Sequence, residues 1–336
     1  MPPNGHGATV ERMEKRMEQF DVIVIGGGAA GLSGALTLAR ARRAVAVVDA
    51  GEPRNAPAAG VHNYLTRDGM SPAALVAQGR AEVTRYGGTI LDGVVRGARR
   101  TSDGFEIDLD GGGRLAGRRL LVASGLVDEL PDVAGLRERW GRDVVHCPYC
   151  HGWEVRDKAI GVLGSGAVAA DRALLFRQWS PDVVLFTHTA APLTPEQAER
   201  LAARGVRVVE GEVVAVEVDG DRVAGLRLAG GEVVAREVVA VTSRMVASSP
   251  VLADLGLKPV EHPMGAGMAY PAGPTGQTDV PGVWVAGNVT DLMAQVISAA
   301  AQGVMAGAAI NHDLVDEDAD RAVAAQLSGN HAKTIP

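Results

Sequence analysis

Two cysteines among 336 residues cannot build a disulfide framework. Such scarcity fits a reducing compartment, where a close Cys pair is more often redox-active or metal-binding than structural. Aromatic residues make up only 4% of the chain, so the core must be mostly Ala, Val and Leu. No apolar run reaches the length of about 18 residues that a membrane span needs. The N-terminus has no apolar signal-peptide core, and a cytoplasmic location is expected. Positive charge is also short. The 33 Lys and Arg against 40 Asp and Glu leave a net charge of −7, which argues against a nucleic-acid partner held by a basic surface. The local clusters Arg96, Arg99, Arg100 and Arg114, Arg118, Arg119 read as solvated hairpin faces.

Glycine, by contrast, is abundant. The 43 glycines exceed the average share of about 7%. With 46% hydrophobic and 22% charged residues, the composition excludes a disordered or fibrous chain. The length suggests about two domains. Residues 1–19 read as a flexible tail without function.

The first glycine cluster has a strong local context. Asp21 to Ile25 reads as a buried strand, and Gly26-Gly27-Gly28-Ala29-Ala30-Gly31 follows at once. An Ala/Leu helix to about Arg40 comes next, then a strand Ala44 to Val48 ending in Asp49 and Ala50. This is the strand–turn–helix–strand setting of a dinucleotide-binding fingerprint. Gly26 permits the tight turn, Gly28 lets the backbone approach a pyrophosphate, and Gly31 lets the helix pack on the strand. Asp49 stands where a carboxylate can accept hydrogen bonds from ribose hydroxyls.

The pattern returns in the middle of the chain. Ala159 to Leu163 is a strand, Gly164-Ser165-Gly166-Ala167-Val168-Ala169 the turn, a helix runs to about Trp179, and Val183 to Phe186 is the next strand. That strand ends in Thr187-His188-Thr189. It offers no carboxylate for an NAD ribose and no arginines for an NADP phosphate, so NADP(H) binding is doubtful.

Between the two units lies His146-Cys147-Pro148-Tyr149-Cys150-His151-Gly152. Two thiols spaced this way can close a small disulfide loop. If the loop opens a helix, the dipole lowers one thiol pKa, and a low-pKa thiolate exchanges with disulfides while its partner resolves. His151 could shuttle a proton near neutral pH. The competing readings are a zinc site from His146, Cys147, Cys150 and His151, a glutaredoxin-like domain, or inert core thiols. Zinc is disfavoured because no second C-x-x-C exists, and no metal is expected. Glutaredoxin is disfavoured because it needs no flanking dinucleotide units. His62 reads as structural, Trp153 and Trp284 as packing, and Met264 to Met268 as a loop. Gly282 to Asn288 reads as a strand ending in a turn before a long small-residue helix.

The ordered set of flavin-type glycine motif, central C-x-x-C, second glycine motif and late Ala-Gly-Asn turn resembles the low-molecular-weight thioredoxin reductase flavoproteins, over nearly the whole chain from Phe20. The resemblance implies an α/β fold of two Rossmann-like domains, the second inserted in the first. The FAD-binding domain would be 20–126 plus 245–318, and the inserted NAD(P)-binding-like domain, with the cysteines, 127–244. Residues 319–336 would be a C-terminal tail. It further implies FAD contacts from Gly26, Gly28, Ala29, Ala30, Gly31, Asp49, Ala50, Asn63, Ala123-Ser124-Gly125, Gly287-Asn288 and Gln295-Val296. A homodimer is implied too.

Several positions depart from the reductases. His151 replaces an Asp, Asn288 replaces an Asp, Ala294 replaces an Arg, and Thr187, His188 and Thr189 stand where arginines are expected. These changes resemble the FAD-dependent dithiol oxidases of the gliotoxin and holomycin type in the same superfamily. The resemblance then implies Cys147, Cys150 and His151 as catalytic residues, a small dithiol as substrate and O2 as acceptor. An NADPH-dependent disulfide reductase is the alternative, and a non-catalytic redox-sensing flavoprotein a third reading.

Overall fold

The computed structural model describes residues 18–166 and 168–332. Its first sheet has seven strands in the spatial order 89–92, 45–49, 18–25, 114–122, 104–109, 95–101. The strand Val283–Val285 joins the far half of Arg114–Val122, pairing with Leu120 to Val122. The central strands are parallel. Their side chains alternate between two buried faces, as a parallel sheet covered on both sides requires. Val22, Val24, Val45 and Val47 point to one core and Ile23, Ile25 and Val48 to the other.

Helices α1 (Ala29–Arg40) and α7 (Val296–Ala332) cross the first of these faces together. Their axes come close because the contact is glycine: a Cβ at Gly303 would stand 2.0 Å from the Ala30 carbonyl oxygen, and one at Gly307 2.8 Å from that of Gly34. Helix α2 (Pro72–Arg85) flanks α1; its N-cap Ser71 accepts from the Ala74 N–H.

The second sheet is five-stranded and parallel, in the order 207–209, 183–186, 160–163, 238–241, 144–145. Helices α4 (Ala169–Phe176) and α5 (Pro195–Ala203) cover one side, and an antiparallel sheet of 213–219, 222–228 and 233–235 the other. The chain crosses between these two large sheets twice. The crossings, Val127–Glu129 and Arg244–Val246, run antiparallel against each other, with Asp128 opposite Met245. The remaining helices are the short α3 (Pro148–His151) and α6 (Pro250–Asp254).

Four expectations are corrected. Residues 1–17 of the expected tail lie outside the described residues, but Glu18 and Gln19 already pair with Leu115 and Ala116. Strand pairing here overrides weak local propensity. The expected C-terminal tail is helix as far as Ala332, and 333–336 lie outside the described residues. Its Ala-rich composition lets α7 propagate. Arg118 and Arg119 are not a solvated face: they turn onto α7 and bind Asp313, Glu317 and Asp318. Of the expected 264–268 loop, Met264 sits in an exposed turn, while Gly267–Ala269 is strand.

Candidate active site

Cys147 is the N-cap of the one-turn α3, with φ −101 and ψ 120. Its carbonyl accepts from the N–H groups of Cys150 and His151, so the sequence Cys-Pro-Tyr-Cys closes as a helical turn with proline at its first position. Both thiols are free and half-buried. The Cys147 sulfur accepts hydrogen bonds from the Cys150 thiol and from the N–H groups of Cys150 and Tyr149, and it feels the charge of Arg172. Against the opposing effect of burial, these hold it at about pH 6. The Cys150 thiol moves the other way, raised by its hydrogen bond to Cys147 and by burial. One thiol is poised to ionise near neutral pH and its neighbour keeps the proton.

His151 follows on the same turn. Both of its ring nitrogens are buried and without a hydrogen-bond partner. Burial lowers its pKa, with Glu154 opposing, so the ring is neutral at pH 7 and can take a proton. Asn63, in a left-handed conformation at φ 61, donates from Nδ2 to the Tyr149 carbonyl at 2.7 Å. Of the expected flavin contacts, it is the one that the structure joins directly to the cysteine motif. His62 lies between Asp68 and Glu154, 3.4 Å from each. Trp284 is buried, as expected. Trp153 is not packed: it is 66% exposed, and Arg156 lies 4.2 Å over its ring. The tryptophan sits on the solvent side of the turn, where its amphipathic ring takes a cation instead of a core.

Beneath the turn runs a polar chain that no sequence motif indicated. Arg54 grips Asp128 with two bonds of 2.6 and 2.7 Å. The Ser243 hydroxyl donates to the same carboxylate at 2.6 Å and approaches His146 Nδ1 at 3.4 Å. Burial pushes Asp128 up, but the Arg54 fork and Ser243 pull it below the usual carboxylate range. Burial and the charges of Arg172 and Arg54 lower His146 to about 4. Arg172 of α4 donates to the His146 carbonyl. Among the described residues, no three His, Cys, Asp or Glu side chains converge as a metal ion would need.

The glycine turn fits a bound dinucleotide. Gly26 has φ +101, and a Cβ there would stand 2.4 Å from the Ala123 carbonyl oxygen. A Cβ at Gly31 would stand 1.8 Å from the Gly26 oxygen. A Cβ at Gly28 would meet no atom within 4 Å, which leaves room over the α1 N-terminus, where Ala29 and Ala30 open the helix. Asp49 Oδ1 accepts the Gly27 N–H at 3.0 Å, and its Oδ2 lies 3.9 Å from Arg80, which sequence reasoning missed. Ala50 is exposed just beyond it. Ala123, Ser124 and Gly125 follow the neighbouring strand, with Ala123 N–H on the Ile25 carbonyl and Gly125 at φ +72.

At the late turn, Gly287 N–H is held by Gln302 Oε1 at 2.8 Å, and Gln302 donates onward to Asp291 at 2.8 Å. Asn288 Nδ2 donates to the carbonyls of Asp291, Ala294 and Leu292 at 2.9, 3.0 and 3.5 Å. The Gln295 carbonyl accepts the Ala299 N–H at the start of α7, so the first helical N–H groups, from Val296 to Ser298, have no acceptor within the helix.

The second glycine unit is built differently at its strand end. Thr187 Oγ1 accepts the Gly211 N–H at 3.3 Å, and His188 Nδ1 accepts the Val213 N–H at 3.1 Å. These side chains fasten the next strand.

Comparison with known proteins agrees with this geometry. The family model for pyridine nucleotide-disulphide oxidoreductases matches residues 20–303. Thioredoxin reductase sirT of Leptosphaeria maculans is 30% identical over 330 residues, covering 92% of this chain and 98% of that protein. The crystal structure of HlmI is 48% identical with a TM-score of 0.87, over 93% of this chain and 97% of the other. An oxidoreductase from Agrobacterium tumefaciens is 37% identical with a TM-score of 0.82, over 88% and 99%.

Proposed function

The chain belongs to the pyridine nucleotide-disulphide oxidoreductase family, and from that premise we propose that it is an FAD-dependent dithiol oxidase that closes a disulfide in a small dithiol. It is a disulfide oxidoreductase of the thioredoxin reductase-like fold, and the family implies FAD. In the proposed arrangement, 20–126 with 245–318 bind FAD and 127–244 carry the redox pair. Gly26 to Gly31, Asp49 and Ala50 hold the dinucleotide end with Ala123 to Gly125 beside the glycine turn, Gly287 and Asn288 the linking chain, and Asn63, Gln295 and Val296 the ring region.

A substrate thiolate attacks Cys147 of the enzyme disulfide, forms a mixed disulfide and releases Cys150. His151 takes the proton of the incoming thiol and delivers it to Cys150. The second substrate thiolate attacks the substrate sulfur of the mixed disulfide. A cyclic disulfide leaves, and Cys147 departs as thiolate, a good leaving group at its lowered pKa. FAD held by these residues would supply the two-electron sink for the resulting enzyme dithiol, with O2 as the final acceptor giving hydrogen peroxide.

The observation that carries this reading over an NADPH-dependent disulfide reductase is the second strand end. Thr187 and His188 are engaged with backbone, and neither supplies the charge that would clamp a nicotinamide cofactor. The reading includes a homodimer in the cytoplasm. Among the described residues, no helix is long and apolar enough to cross a membrane. Cys147→Ser and Cys150→Ser should each stay yellow with FAD and lose dithiol turnover. Yellow variants with parental turnover would sink the mechanism.

A further inference from the structure

Arg172 lies half-buried in α4. Its Nη1 donates to the carbonyl of His146, the residue before Cys147, and its Nε is buried with no partner. The neighbouring Asp171 turns away to Arg200. A guanidinium does not give up its proton, and a buried one without an anion is costly. Its bond to the His146 carbonyl sets the guanidinium one residue from Cys147, where a thiolate charge would oppose the effect of burial on Arg172.

We propose that the second glycine unit serves the dithiol instead of a nicotinamide, its helix α4 carrying Arg172 as the positioning residue that holds Cys147 as thiolate. The proposal rests on the dithiol-oxidase reading, in which Cys147 is expelled when the cyclic disulfide leaves. A cation beside that sulfur stabilises the departing charge. The other groups that act on Cys147 are the Cys150 thiol and the N–H groups of Tyr149 and Cys150, all on α3. Arg54 is committed to Asp128. His146 faces Ser243 and is neutral above about pH 4. Arg172 is therefore the cation left for the thiolate.

The test is the pH profile of Cys147 alkylation by iodoacetamide in the anaerobically reduced holoenzyme, read by mass spectrometry. The parent should reach half its maximal rate near pH 6. Arg172→Gln should move the midpoint up by about one unit, slowing alkylation at pH 6 about tenfold, while Arg172→Lys should keep most of the parental profile. An Arg172→Gln profile matching the parent would overturn the proposal. So would a parental midpoint near the ordinary thiol value of about 8.5, which needs no variant. Because alkylation does not depend on turnover, an enzyme inactive on dithiols but shifted by Arg172→Gln would refute the oxidase reading and leave Arg172 in place.

Discussion

At the scale of single residues, Asn288 shows why a departure from a family pattern can be required by packing. Its amide nitrogen donates to three carbonyls that shape the turn before α7. A carboxylate accepts only, so an Asp there would face those oxygens without a proton. Asn288→Asp should destabilise the protein by about 1–3 kcal/mol and lower the FAD retained on purification, read from the ratio of flavin to protein absorbance. His151 carries a second prediction. Burial lowers its pKa, so the neutral base persists as pH falls through about 6.5, and activity is lost only below that. The acid limb of kcat should lie under pH 6.5, and His151→Gln should lower kcat by about 10²–10⁴ with FAD retained. A parental acid limb above 6.5, or a fully active His151→Gln, would remove His151 from the proton transfer. The glycine turn and Cys-Pro-Tyr-Cys-His were legible because they are local: each states its geometry within a few residues. Arg54, Asp128 and Ser243 were not. They meet across 74 and 115 residues of chain, and no spacing rule announces such a contact.

At the scale of elements, the strands and helices flanking both glycine units follow from their apolar runs, but their ends do not always: the first strand begins at Glu18 instead of Asp21, and α4 ends at Phe176, short of the expected Trp179. Val183–Phe186 was read directly, and α1 ends at Arg40 as expected. What the sequence hid was the use of charge between elements. Arg118 and Arg119 looked like an exposed strand face, yet they are 18% and 15% exposed and bind Asp21, Asp313, Glu317 and Asp318. The reason lies in α7, whose acidic stretch sets Asp313, Glu317 and Asp318 against these two arginines. Arg119→Ala should cost about 1–3 kcal/mol and loosen α7 first, seen as faster hydrogen exchange in 313–328 than in α1. Equal protection in parent and variant would contradict this clamp. The same helix is held to α1 by close contacts at Gly303 and Gly307; the sequence showed a small-residue helix but not the partner it packs on.

At the scale of the molecule, the site draws on both glycine units and on the two crossings between the large sheets. Arg54 comes from the loop after the first glycine unit, Asp128 from the first crossing, Ser243 from the residue before the second, and His146 from the edge of the cysteine motif. One buried chain of polar contacts thus ties the first unit to the segment that carries the thiols. The second glycine unit adds Arg172 from α4. On the proposed reading, electrons enter from a dithiol at Cys147 and not from a nicotinamide. The most direct measurement is anaerobic: mix the yellow protein separately with dithiothreitol and with NADPH, and follow the flavin band. Bleaching by the dithiol alone, with recovery and peroxide when air enters, is the predicted result. Rapid bleaching by NADPH, with a nanomolar-to-micromolar dissociation constant, would contradict the account and make the protein a reductase.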